Sequence, residues 1–139
     1  MPATSLLLID DDRAQLLLFK ALFEERGYGV TLAESGRQGV ELARQAKPDL
    51  ILCDVIMPQF DGFRVLASLK ADPATHAIPV MLMTFSPEMA ARLQADEPEP
   101  LTYLSKLDPF DSLVQQVETR LAGARALRRL PEPGQPPRA

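Results

Sequence analysis

The sequence predicts an α/β fold, a doubly wound five-stranded parallel sheet with helices on both faces. Three observations carry this. Short apolar runs of strand length alternate five times with longer stretches of helical period. The connections between them are short and end in turn or stop residues, as in consecutive strand-helix units. Two of the runs, SLLLI (5–9) and DLILCD (49–54), carry no polar alternation, which is the pattern of strands buried on both faces.

SLLLI (5–9) reads as the first strand. RAQLLLFKALFEERG (13–27) is a helix with Leu16, Phe19, Leu22 and Phe23 on one face and Gly27 as its stop. The run Leu16-Leu17-Leu18-Phe19 is too wide for one face, so Leu17 or Leu18 points outward, where apolar residues beside an acidic edge could dock a partner's helices. YGVTLAE (28–34) is a second strand, and GRQGVELARQAK (36–47) a helix closed by Lys47-Pro48. DLILCD (49–54) is the third strand. DGFRVLASLKAD (61–72) is a helix with Phe63, Leu66 and Leu69 at helical spacing, stopped before Pro73. IPVMLMT (78–84) is the fourth strand, and PEMAARLQAD (87–96) a short helix cut off by Pro98 and Pro100. LTYLS (101–105) is a weaker fifth strand. The last helix, 109–130, turns Leu113, Val117, Leu121 and Ala124 inward. The domain therefore spans 1–130. The Pro-rich tail 131–139 has no core-forming residues and is expected to be disordered, either as an end or as the remnant of a linker.

Composition bounds the function. The chain has 139 residues, 46% of them hydrophobic and 24% charged, ordinary for one globular domain with a real core. A net charge of -4 gives nucleic-acid binding no electrostatic support. A single cysteine, Cys53, allows no internal disulfide and points to the cytoplasm; beside Asp54 on a buried strand it reads as inert core. No run is long enough to span a membrane, and the N-terminal apolar run is too short and lacks the basic flank of a signal peptide. His76 has no second histidine with which to hold a metal. Met57, Met81 and Met83 read as packing residues.

In parallel sheets, sites form at the carboxyl ends of the strands. There the first strand ends in Asp10-Asp11-Asp12, the third in Asp54, the fourth in Thr84 and the fifth in Ser105-Lys106. Each has an ordinary structural reading alone: helix cap, strand-end hydroxyl, solvated lysine. Together they read differently. Carboxylates from neighbouring strands repel in a partly desolvated cleft unless a hard divalent cation lies between them. Mg2+ favours one or two carboxylates, water and a phosphate oxygen, and a hydroxyl and an ammonium opposite would bind the remaining phosphate oxygens. Asp12 stands apart: with Gln15 three residues on, it reads as a capping-box-like pair at the start of the first helix.

These residues lie in the motifs LLLIDDD, PDLILCDVIMPQFDGF, IPVMLMT and YLSK. In that order and spacing they make the chain, over about residues 5–128, resemble the receiver domain of a two-component response regulator. The resemblance implies strand order 2-1-3-4-5. It implies that Asp54 is the phosphoacceptor, taking a phosphoryl group from a phosphohistidine of a histidine kinase or histidine phosphotransfer protein, or from acetyl phosphate. It places Mg2+ on Asp10 (through water), Asp11, Asp54 and the backbone carbonyl of Ile56, with Thr84 and Lys106 on the phosphoryl oxygens. Phosphorylation would then draw in Thr84 and rotate Tyr103 inward, altering the surface of the helix at 87–96, the fifth strand and the last helix for an unknown effector. A monomer or weak homodimer is expected, with neither nucleic acid nor membrane contacted by this chain.

The sequence departs from the family pattern in three places. The lysine is normally followed by a cis proline; here Leu107 and Asp108 precede Pro109, so a trans bond and a less well placed Lys106 are expected. The residue after Thr84 is normally small; here it is Phe85, whose ring could cover the site and slow its reactions. Pro98 and Pro100 replace a small-residue turn and should shorten the helix before them. Ile56, apolar beside the phosphoryl position, cannot orient an attacking water, so slow self-dephosphorylation is expected. The leading function is thus a phospho-accepting signalling module, not an enzyme. The alternative is a degenerate receiver acting as a phosphorylation-independent interaction domain. A Mg2+ phosphatase using Asp54 as nucleophile lacks a visible second acid and substrate-binding insertions.

Overall fold

Leu6, Leu7, Leu8 and Ile9 are all buried, because strand β1 (Ser5–Ile9) has a strand on each side and a helix layer on each face. In this computed structural model, which describes residues 3–86, Glu88, Ala91 and 103–129, β1 lies between β2 (Gly29–Ala33) and β3 (Leu50–Asp54). β4 (Val80–Thr84) and β5 (Tyr103–Ser105) complete a five-stranded sheet of order β2-β1-β3-β4-β5, every pair parallel. The fold class is the one expected from the sequence pattern, and the strand order the one the family resemblance implies.

Because side chains alternate across a strand, each buried strand feeds two cores. Leu6, Leu8, Leu50 and Leu52 pack with Phe23 and Val117, contributed by α1 (Arg13–Glu25) and α4 (Phe110–Arg129). Leu7, Ile9, Ile51 and Cys53 pack on the other face with Ala43 and Val65, from α2 (Gly36–Ala46) and α3 (Gly62–Ala71). The four residues expected to face inward on α4, Leu113, Val117, Leu121 and Ala124, are all buried. On α1, Leu17 and Leu18 both point outward.

Local chemistry sets the helix starts. Asp12, Ser35 and Asp61 each accept a hydrogen bond from the backbone N–H three residues on, satisfying one of the orphan donors at a helix N-terminus. Several elements are a residue or two shorter than expected. Asp61 is a cap, not the first residue of α3. Lys47, in the left-handed region at φ 45, ends α2 before Pro48 is reached. Pro79 has no N–H to give a ladder, and β4 begins after it. Of the helix expected over 87–96 only Glu88 and Ala91 are described, both helical. Pro98, Pro100, the first two residues of the expected fifth strand and the tail 131–139 lie outside the described residues.

Candidate functional site

The sheet register builds the site. β1 and β3 are paired so that Ile9 faces Cys53; the next residues along the two strands, Asp10 and Asp54, therefore stand side by side at the carboxyl edge of the sheet. β4 and β5 pair Thr84 with Ser105, and the Lys106 N–H donates to the Thr84 carbonyl at 2.8 Å, which carries the lysine onto the same edge. Asp10, Asp11 and Asp54 each offer a carboxylate oxygen, and these lie within 4.8 Å of one another.

Lys106 stands at the centre of this edge. Its Nζ donates to Asp10 Oδ2 at 2.6 Å and lies 3.3 Å from Asp54 Oδ1, and its side chain is only 2% exposed. The expectation that a missing proline leaves the lysine poorly placed is therefore corrected. No described peptide bond is cis; a tight turn does the work instead, with the Leu107 N–H on Ser105 Oγ and the Asp108 N–H on the Ser105 carbonyl. Two carboxylates attract a long cation strongly in a dry cleft, and that attraction does not depend on the isomer of the bond that follows it.

The three N-terminal acids differ in their surroundings. Asp10 is buried, with both oxygens engaged: Oδ2 by Lys106 and Oδ1 by the Asp12 N–H at 3.0 Å. Asp11 is exposed. Asp12 caps α1 by accepting from the Gln15 N–H. The capping box stays half-made: the Asp12 N–H that Gln15 would have taken goes to Asp10, and Gln15 Oε1 is buried without a hydrogen-bond partner among the described residues. Residue types alone do not signal this diversion, because it depends on the Asp10 side chain turning to accept from the N–H two residues on.

Asp54 is 13% exposed, enough for a reagent to reach it. Burial pushes its carboxyl up to about 6, with Lys106 pulling it down and Asp10 and Asp11 adding to the rise. Its backbone is fixed from behind by Gly62. A Cβ there would come 2.6 Å from the Asp54 carbonyl oxygen and 2.9 Å from Val55 Cα, and the Gly62 N–H donates to the Val55 carbonyl at 2.8 Å. The Asp61-Gly62 pair thus has two jobs, the cap of α3 and close passage beneath the strand end. Cys53 behaves as core: it is buried, and burial first, then the neighbouring acids, hold its thiol well above the usual range.

Thr84 is buried, and its hydroxyl bonds locally, donating to the Ser86 carbonyl and accepting from the Ser86 N–H. Ile56 and Phe85 are both half exposed beside the site. The Phe85 ring does not simply cover the acids; it stands over the Lys106 ammonium, 4.9 Å from Nζ to the centroid. Tyr103 already packs its ring partly buried against the Leu82 side of the sheet, with its hydroxyl oxygen inside. His76, in the loop before β4, bonds locally, with Nδ1 3.0 Å from the Pro73 carbonyl oxygen.

The residues present suit Mg2+: acidic oxygens close enough together to share an ion, one of them on an exposed residue, and a cation that now balances part of their charge. Among the described residues no helix is long and apolar enough to cross a membrane.

Comparison with known proteins shows the family and agrees with the fold. The family model of the response regulator receiver domain matches residues 6–118. Protein PilH of Pseudomonas aeruginosa is 34% identical over 118 residues, covering 85% of this chain and 98% of PilH. The transcriptional regulatory protein ZraR of Escherichia coli is 39% identical over 117 residues, 84% of this chain but only 26% of ZraR. The receiver domain of a signal transduction histidine kinase from Syntrophus aciditrophicus superposes with a TM-score of 0.77 at 30% identity, covering 87% of this chain and 92% of that one. The chain thus spans nearly all of one relative and about a quarter of another, and a match over these residues to the family model makes it a member of the response regulator receiver domain family.

Proposed function

We propose that the chain accepts a phosphoryl group on Asp54 from a phosphohistidine of a histidine kinase or phosphotransfer protein, in a Mg2+-dependent reaction, and passes the signal on through its surface. The observation that carries this reading is the placement of a partly accessible Asp54 against Lys106, with Asp10 and Asp11 within ion-sharing distance. In the transfer an Asp54 oxygen attacks phosphorus, the O–P bond forms, the P–N bond to the donor imidazole breaks, and the imidazole leaves with its electron pair. When bound, Mg2+ supplies charge neutralisation of the phosphoryl oxygens. Asp11, exposed, and Asp54 would hold it directly with the Ile56 carbonyl. Asp10, whose oxygens are already engaged, would act through water.

Lys106 meets one phosphoryl oxygen as a point charge. Thr84 has to give up Ser86 to meet another. That exchange is the switch: phosphorylation of Asp54 supplies strong acceptor oxygens that compete with the Ser86 carbonyl for the Thr84 hydroxyl. With Tyr103 already packed inward, Thr84 is the residue with the larger change to make. The chain transforms its own aspartate and no separate substrate, so we read it as a signalling module and not an enzyme, acting in the cytoplasm.

A second reading, a receiver that has stopped cycling and serves only as an interaction domain, is favoured by the Phe85 ring beside the site. Incubation with acetyl phosphate and Mg2+, read by intact mass, separates the two. A single phosphoryl adduct that disappears in Asp54→Asn supports the phosphoacceptor. No adduct, and no binding of beryllofluoride, supports the interaction domain. Ile56 offers no group to activate water, so the adduct should persist for minutes or longer; decay within seconds would refute that part.

A further inference from the structure

Phe85 holds the Lys106 ammonium by its π face, and the chain has a reason to need such a hold. The backbone of Lys106 is secured by the turn through Ser105, but a four-carbon stem remains free to turn unless its head is fixed. Asp10 Oδ2 and Asp54 Oδ1 fix it by charge. Both carboxylates are also the groups that a divalent ion would claim, which weakens their hold on the lysine when the site is loaded. The ring at 4.9 Å competes with no ion, because its attraction for a cation lies on a face the carboxylates do not use. Its own exposed half faces water, while the ammonium side chain is nearly dry.

We propose that Phe85 is a positioning residue for Lys106: its ring clamps the ammonium in place through metal loading, so that the cation meets an incoming phosphoryl oxygen already ordered. This rests on the phosphoacceptor reading and deepens it. Pre-ordering a charged side chain raises affinity by removing the ordering cost from the binding step. A partly exposed cation–π contact corresponds to a change of about two- to fivefold in an equilibrium constant.

The test compares the full chain with Phe85→Tyr, which keeps the π face, Phe85→Leu, which keeps bulk alone, and Phe85→Ala, after circular dichroism shows each folded. The first readout needs neither metal nor phosphate. The Hε protons of Lys106 should show an upfield ring-current shift in wild type and Phe85→Tyr that is lost in Phe85→Leu and Phe85→Ala. The second is beryllofluoride affinity at saturating Mg2+. It should weaken about two- to fivefold in the leucine and alanine variants and stay at the wild-type value in the tyrosine variant. A leucine variant that binds like wild type overturns the proposal, since bulk alone then suffices. Tighter binding on removal of the ring also overturns it, since the ring is then only a cover. If wild type binds no beryllofluoride, the phosphoacceptor reading fails instead, and the ring-current series still decides whether the clamp exists.

Discussion

Replacing Asp54 by asparagine should make the metal-free protein more stable, and the gain should depend on pH. Asp10, Asp11 and Asp54 converge on one edge, and Lys106 balances one of their charges. Burial, with the two other acids, raises the Asp54 carboxyl from 3.8 to about 6 even though Lys106 opposes the rise. Between these values the folded protein binds more protons than the unfolded chain, so stability falls as pH rises through the window and the whole penalty is present above about 6. The difference from 3.8 to about 6 sets a ceiling of about 3 kcal/mol. The carboxyl is still partly open to water, and screening reduces the expected gain to about 1–2 kcal/mol. Urea unfolding of wild type and Asp54→Asn in a chelator, from about pH 4 to about pH 8, measures it. The advantage of the variant should be near zero at the acid end, grow through the window and level off above it. Adding Mg2+ should narrow the gap, because an ion bound to the folded state stabilises the form that retains the carboxylate. An advantage that is flat with pH, or a variant less stable than wild type above about 6, would refute the charge-crowding argument.

The other expectations follow from the same edge. Lys106→Met leaves the buried Asp10 carboxylate with only the Asp12 N–H among the described residues, and should cost about 3–5 kcal/mol in a chelator, part of it recovered with Mg2+; thermal melts with and without the ion check this. Asp12→Ala should cost about 1 kcal/mol through the lost cap and leave Mg2+-dependent beryllofluoride binding intact. Asp11→Ala should abolish that binding at little cost in stability; loss of binding in Asp12→Ala alone would overturn the division. Gly62→Ala pushes a methyl against the Asp54 carbonyl and the Val55 backbone, which cannot swing aside, so about 1–3 kcal/mol should be lost together with phosphorylation of Asp54. Urea melts and intact mass read the two effects separately.

Most of the fold was legible because its signals are local. Fully apolar runs such as 50–53 state their own burial, and the inward face of α4 follows from spacing alone. Element ends were less legible. Whether Lys47 turns left-handed before Pro48, or Asp61 caps α3 in place of joining it, depends on backbone torsions that residue type only biases. Within the site, the residue set was readable and its wiring was not. The diversion of the Asp12 N–H to Asp10, and the hold of Thr84 on Ser86, are contacts chosen among several chemically equivalent partners.

By itself the sequence determined that the sheet is parallel and buried on both faces, and that acids, a hydroxyl and a lysine end its strands. Apolar periodicity and strand-end position are properties of the chain read one residue at a time. Only the tertiary structure decided what those groups do to one another. The register sets Asp10 beside Asp54, the turn at Ser105 delivers Lys106 without a cis bond, and Phe85, expected as a cover, faces the ammonium. Electrostatic energy depends on distance and on the water excluded between groups. Neither is defined until strands far apart in sequence have paired.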